Sequence, residues 1–165
     1  MRRAALTVLV WTATLGTAHA DGPWRPSGAI SALMPIDLED GGVGGGLLVD
    51  LWESLGAFQI GFAAGLAALT SDNPNASAIV TPLAATVGIG SRPHPISVHA
   101  YVRGGVWGGA TNSGLRGGAF VAGGVALDVR LDDVLGLGIG GEVWRTWGAL
   151  DRLMLAPTLS LVWRL

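Results

Sequence analysis

The chain has no cysteine, no lysine and a single tyrosine among its 165 residues. Without cysteine there is no disulfide framework and no lipidated N-terminal cysteine. Every basic residue is arginine, and the arginines form no basic patch of the kind that binds nucleic acid. Charged residues make up only 13% and apolar ones 50%, a balance that excludes a disordered chain. Long hydrophobic runs are scarce too. The stretch AFQIGFAAGLAAL (57–69) carries Gln59 and is shorter than the ~20 residues a membrane-spanning helix needs.

What is present begins with MRRAALTVLVWTATLGTAHA. Arg2 and Arg3, an apolar core from Ala4 to Thr17 and the Ala18-His-Ala20 cleavage pattern predict a secretory signal peptide over 1–20. Residues 21–165 then form one domain, with 12 acidic residues against eight arginines, a net charge of −4. Glycine is abundant, 27 in all, with Gly16 alone inside the signal. Each glycine inside a helix costs roughly 1 kcal/mol relative to alanine, so a helical domain is a poor solution for this composition.

Gly61 and Gly65 form a G-x-x-x-G, the spacing at which membrane helices pair. Read with a period of two, however, Phe58, Ile60, Phe62, Ala64, Leu66 and Ala68 share one face, and Gln59, Gly61, Ala63, Gly65 and Ala67 the other. That is a strand with an oily face and a small-residue face. The same alternation predicts strands at 24–34, 43–52, 57–69, 78–90, 96–107, 118–131, 135–144 and 153–165. Their connections alternate between short turns (53–56, 91–95, 131–134) and longer polar loops (35–42, 70–77, 108–117, 145–153). Pro82 and Pro157 fall inside predicted strands, where bulges or early termination are expected.

Opposite the oily faces lie Asp50, Gln59, His99, Tyr101, Arg103, Asp128, Arg130, Glu142 and Arg164, a predicted lumenal polar network. Twelve further inward positions are Gly or Ala, which leaves volume for water, ions or a slender ligand. Trp24, Trp52, Trp107, Trp144, Trp147 and Trp163 all fall at strand ends, where an interfacial aromatic girdle belongs. The same register turns Trp52, Trp107 and Trp144 inward, which requires rim bulges or a plugging role. Together these features predict an all-β fold, an antiparallel up-and-down eight-stranded transmembrane β-barrel.

The chain thus resembles the small eight-stranded outer-membrane barrels of the OmpA/OmpX type. Thr158, Ser160, Trp163 and Leu165 occupy the places of that group's C-terminal assembly signal, with Ser160 where glycine stands and Leu165 where the last aromatic stands. The resemblance implies export to the outer membrane of a Gram-negative bacterium, with periplasmic chaperones and the barrel-assembly machinery as partners. It also implies contact with outer-membrane lipids and lipopolysaccharide; no nucleic-acid partner, cofactor or metal is expected, since the chain has neither a basic patch nor a metal-ligand spacing. Some barrels of this size deacylate lipid A with a His-x-Ser pair and a Glu. Here Ser97-Val-His99 has the reverse order and faces inward, so a lumenal histidine is favoured. Asp37, Glu39 and Asp40 lack the spacing of a Ca²⁺ loop and read as a solvated acidic segment.

The expected function is therefore non-enzymatic, with a structural or envelope-integrity role. A narrow, porin-like conduit for small solutes or hydrophobic ligands is the alternative, and a lipid-modifying enzyme a minority one. A soluble, lipocalin-like barrel is disfavoured, because its oily residues would have to face inward.

Overall fold

The computed structural model describes residues 24–70, 77–91, 95–111 and 114–164. The expected signal peptide (1–20) and Leu165 lie outside the described residues. Within them the chain is entirely strand, turn and loop. The strands are β1 (Trp24–Leu33), β2 (Ile36–Asp37), β3 (Gly44–Leu55), β4 (Phe58–Leu69), β5 (Ala78–Gly90), β6 (Ile96–Thr111), β7 (Gly114–Arg130), β8 (Leu135–Gly148) and β9 (Arg152–Arg164).

Each long strand pairs antiparallel with the next, and β1 pairs with β9 from Ser27↔Arg164 to Leu33↔Thr158, which closes the sheet. The two-residue β2 continues β1: it pairs with β9 at Ile36↔Leu155 and Asp37↔Met154, in the same register. The barrel therefore has eight walls and no free edge, and every wall strand finds hydrogen-bond partners on both sides. Its two mouths differ. The turn end carries the start of β1 and the end of β9, the two-residue turn Gly56-Ala57 (Gly56 at φ 62°), the facing ends of β5 and β6, and the turn at 131–134. At 131–134 the Asp132 carboxylate accepts from the Val134 and Leu135 amides at 2.7 and 2.6 Å, and those bonds hold its pKa below the ordinary carboxylate range.

Period-two alternation decides which residues meet which medium. Phe62, Leu83, Val106, Val125, Ile139 and Leu159 point outward, each more than half exposed, while Ala63, Ala84, Ala122 and Glu142, on the opposite parity of the same strands, are buried inside. An apolar exterior around a polar interior is the inverse of a soluble barrel. The core of this protein is its lumen.

The structure departs from the sequence reading at three places. First, β6, β7 and β8 run four residues beyond their expected upper ends, to Thr111, from Gly114 and to Gly148. Glycines and alanines in 108–118 suggested a loop, but Gly108↔Gly117 and Gly109↔Arg116 are ladder pairs. The extensions of β3 and β8 also put Glu53 and Arg145 on the outer-face parity, each at a strand end. Second, Pro82 and Pro157 neither bulge nor end their strands. The β4–β5 ladder skips the positions at Thr81 and Pro82 and resumes at Ala67↔Val80 in unchanged register. Proline removes one N–H but keeps an extended φ, so pairing lapses while alignment holds. Third, Gly105 is there for close approach: a Cβ would lie 2.0 Å from the Leu83 carbonyl oxygen.

Candidate functional site

The lumen is filled in layers along the barrel axis. Nearest the turn end, Arg164 reaches Ser97 Oγ at 3.2 Å and Asp128 at 3.7 Å. His99 Nε2 lies 2.9 Å from Asp128 Oδ2 and 3.2 Å from Ser97 Oγ, and its Nδ1 lies 2.9 Å from Gln59 Nε2. A carboxylate only accepts, so the tautomer with its proton on Nε2 satisfies Asp128 and leaves Nδ1 to accept from the Gln59 amide. Serine, histidine and aspartate do meet here, but Ser97 and Asp128 face the same ring nitrogen. A relay needs them on opposite nitrogens, so these three residues do not form one.

The next layer centres on Arg103, only 4% exposed. Its Nη2 lies 3.1 Å from Glu142 Oε1 and its Nη1 3.0 Å from Asp50 Oδ1. The Asp50 contact is an ion pair by distance but falls outside hydrogen-bond angles, and Arg103 Nε has no acceptor. The guanidinium carbon stands 4.8 Å from the centre of the Tyr101 ring, a cation–π contact. Glu142 is saturated further, accepting from Tyr101 Oη at 2.8 Å and from Trp144 Nε1 at 2.7 Å. Four side chains from β6 and β8 thereby hold one another, with Asp50 from β3 as the fifth. Beside this cluster is a cavity of about 70 Å³, bordered by Ser31, Gln59, Thr86, Tyr101 and Ser160. At ~10–15 Å³ per site it has room for a handful of waters.

Above Glu142 the lumen turns apolar. Phe120 and Trp144 stack at 5.0 Å with ring planes 10° apart. Trp107, Val80, Pro82, Leu150 and Met154 complete the layer around a residual space of about 20 Å³. Trp107 and Trp144, placed by sequence in the girdle, are thus corrected to lumen residues. They sit on inward positions opposite glycine and alanine (Trp107↔Gly118, Trp144↔Ala122), so the small residues make room for the large ones. Trp52 also follows the inward parity, half-buried at the turn end. Trp147 points outward at the loop end, and Trp163 lies across Gly28 on the outer face at the β1–β9 seam. Trp24 opens β1, with its side chain outside the described set.

A final ionic layer covers the loop end. Arg152 pairs with Asp37, and with Asp40 at 2.9 Å; Arg145 pairs with Glu39 at 2.9 Å and Asp151 at 2.5 Å. The acidic segment is therefore bound to arginine rather than simply solvated. Sequence reasoning missed this layer, although opposite charge in the first and last loops was visible. Closing β1 onto β9 is what brings those loops together. Of the expected lumenal network, Asp50, Gln59, His99, Tyr101, Arg103, Asp128, Glu142 and Arg164 are assembled inside. Arg130 is not: it stands exposed at the turn-end rim and pairs with Asp133 three residues on. Thr158 and Ser160 of the assembly signal line the cavity, and Ser160 Oγ bonds Ser31 Oγ across the seam at 2.8 Å.

No protein-family model and no curated protein sequence matches the chain. Among solved structures it is similar to Neisserial surface protein A, at 9% identity and a TM-score of 0.58 over 87% of this chain and 97% of that one. It is similar to Ail, the attachment invasion locus protein of Yersinia pestis, at 10% identity and a TM-score of 0.54 over 86% and 97%. It is likewise similar to the N-terminal β-barrel domain of Pseudomonas aeruginosa OprF, at 14% identity and a TM-score of 0.52 over 84% and 97%. In fold the chain is a closed eight-stranded antiparallel β-barrel, the architecture of these small outer-membrane barrels.

Proposed function

We propose that this protein resides in the outer membrane of a Gram-negative envelope, exported by its N-terminal signal, with a structural role rather than a catalytic or transporting one. The turn end then faces the periplasm and the loop end the outside. Its partners are the surrounding lipids and lipopolysaccharide, and, during biogenesis, periplasmic chaperones and the barrel-assembly machinery. The observation that carries this reading is the filled lumen: an ion-paired layer on Arg103 beneath an aromatic layer of Trp107, Phe120 and Trp144. Eight strands leave a bore that side chains just fill, and here large inward residues stand opposite small ones. The disposition of Ser97 and Asp128 on one ring nitrogen of His99 argues against hydrolysis at this cluster. Planar-bilayer recording tests the plug directly, with no steady conductance expected. A deletion strain should become more sensitive to detergent. Reproducible single-channel steps would replace this reading with a conduit.

A further inference from the structure

We propose that residues 36–42 are a hinged lid over the aromatic layer, latched shut by Arg145 and Arg152 of the β8–β9 hairpin. The backbone loosens on either side of this segment. On one side, the β1–β9 pairing lapses at Met34 and Pro35, opposite Ala156 and Pro157, and only the bond from Met34 N to Pro157 O at 3.1 Å spans the gap. Pro35 and Pro157, one on each strand and diagonal to each other, each remove a donor, which leaves a line of weak pairing. On the other side stand Gly41, Gly42, Gly44, Gly45 and Gly46, with Gly41 at φ +72°. Glycine there lets the chain swing at little steric cost.

Between those ends the lid is held by short backbone pairings and by charge. The Asp37 carboxylate folds back onto the Glu39 and Asp40 amides at 2.9 and 3.2 Å, which shapes the segment from within. The backbone adds the Ile36↔Leu155 and Asp37↔Met154 pairs and the bond from Leu38 N to Leu153 O at 2.9 Å toward β9, and the Ile36↔Val43 bridge with the bonds from Asp37 N to Gly42 O and Gly44 N to Pro35 O, both 2.7 Å, toward β3. The remaining ties are charged. Asp37, Glu39 and Asp40 come from the lid; Arg145, Asp151 and Arg152 face them from the hairpin. They form two grades. The Arg152–Asp37 pair is almost fully buried above Met154, whereas the Arg145 pairs are open to solvent. Salt screens exposed pairs and leaves buried ones largely intact. High salt should therefore loosen the outer tie only, and release of Arg152 should open the lid.

The absence of cysteine provides the assay. Met154→Cys, beneath the lid, is labelled with a water-soluble maleimide in the barrel refolded into lipid vesicles. Leu115→Cys, at an 87% exposed position, sets the open rate. Labelling at 154 should be slow, rise no more than about twofold in ~1 M salt, and rise about tenfold when Arg152→Gln is added. Should Arg152→Gln fail to fold, Asp37→Asn breaks the same pair from the lid side. Equal rates at 154 with and without the latch would overturn the proposal. So would an equal acceleration at Ala126→Cys in the turn-end cavity, because that outcome means the whole barrel has loosened.

Discussion

Arg103→Ala probes the lumen most severely. The guanidinium is 4% exposed and lies within about 3 Å of two carboxylates, on Asp50 and Glu142. At an effective dielectric of ~20, each such pair is worth roughly 5 kcal/mol of Coulomb energy before desolvation is charged against it. Removing the cation leaves both carboxylates buried without a counter-charge, and that situation typically costs ~3–5 kcal/mol. Glu142 keeps Tyr101 and Trp144 as donors, and the adjacent cavity admits water beside Asp50, so the expected loss is about 3 kcal/mol, at the low end of that range. Urea unfolding of the vesicle-inserted barrel, followed by tryptophan fluorescence, measures it. Adding Asp50→Asn to Arg103→Ala should recover part of the loss, because it neutralises the more weakly satisfied acid. A loss below about 1 kcal/mol, the range of exposed pairs, would mean a lumen wet enough to screen the charge and would refute the plug.

Three further contrasts are expected. Val125→Arg puts a charge on a lipid-facing position that is 60% exposed and should cost ~2–4 kcal/mol of folding free energy, whereas Ala126→Ser, one residue on and facing the cavity, should cost under about 1 kcal/mol. Trp144→Phe loses the 2.7 Å bond to Glu142 and should destabilise by ~1.5–3 kcal/mol; Trp107→Phe removes a buried N–H that has no acceptor and should be nearly neutral. Gly105→Ala should block folding, since its Cβ would meet backbone at 2.0 Å, while Gly108→Ala, which points into open space on the same strand, should fold at wild-type yield in detergent.

Much of this architecture is legible in the residues because a barrel wall reports its two media at every second position. Phe58, Ile60 and Phe62 against Gln59, Gly61 and Ala63 read correctly without any knowledge of partners. The inward charges on β3, β6, β7 and β8 follow by the same parity. Strand ends are harder, because Gly108, Gly109, Gly117 and Gly118 carry no side chain to declare a face, and the ladder extends through them on backbone bonds alone. The aromatic layer was obscured by an ambiguity of chemistry: tryptophan suits both an interface and a packed interior, and Trp107 and Trp144 take the interior. Pairing inside the lumen depends on the depth at which each side chain ends, which alternation does not encode. That is why Arg130, of correct parity, ends at the rim while Arg103 lies at the centre.

The proposed role rests on a closed barrel inserted in the outer membrane. Fractionation of the native cell, followed by electrophoresis of the outer-membrane fraction with and without boiling, tests it most directly. The protein, its signal removed, should be found in that fraction and should migrate differently before and after heating. A protein recovered in the soluble periplasmic fraction, with the same mobility in both lanes, would contradict it.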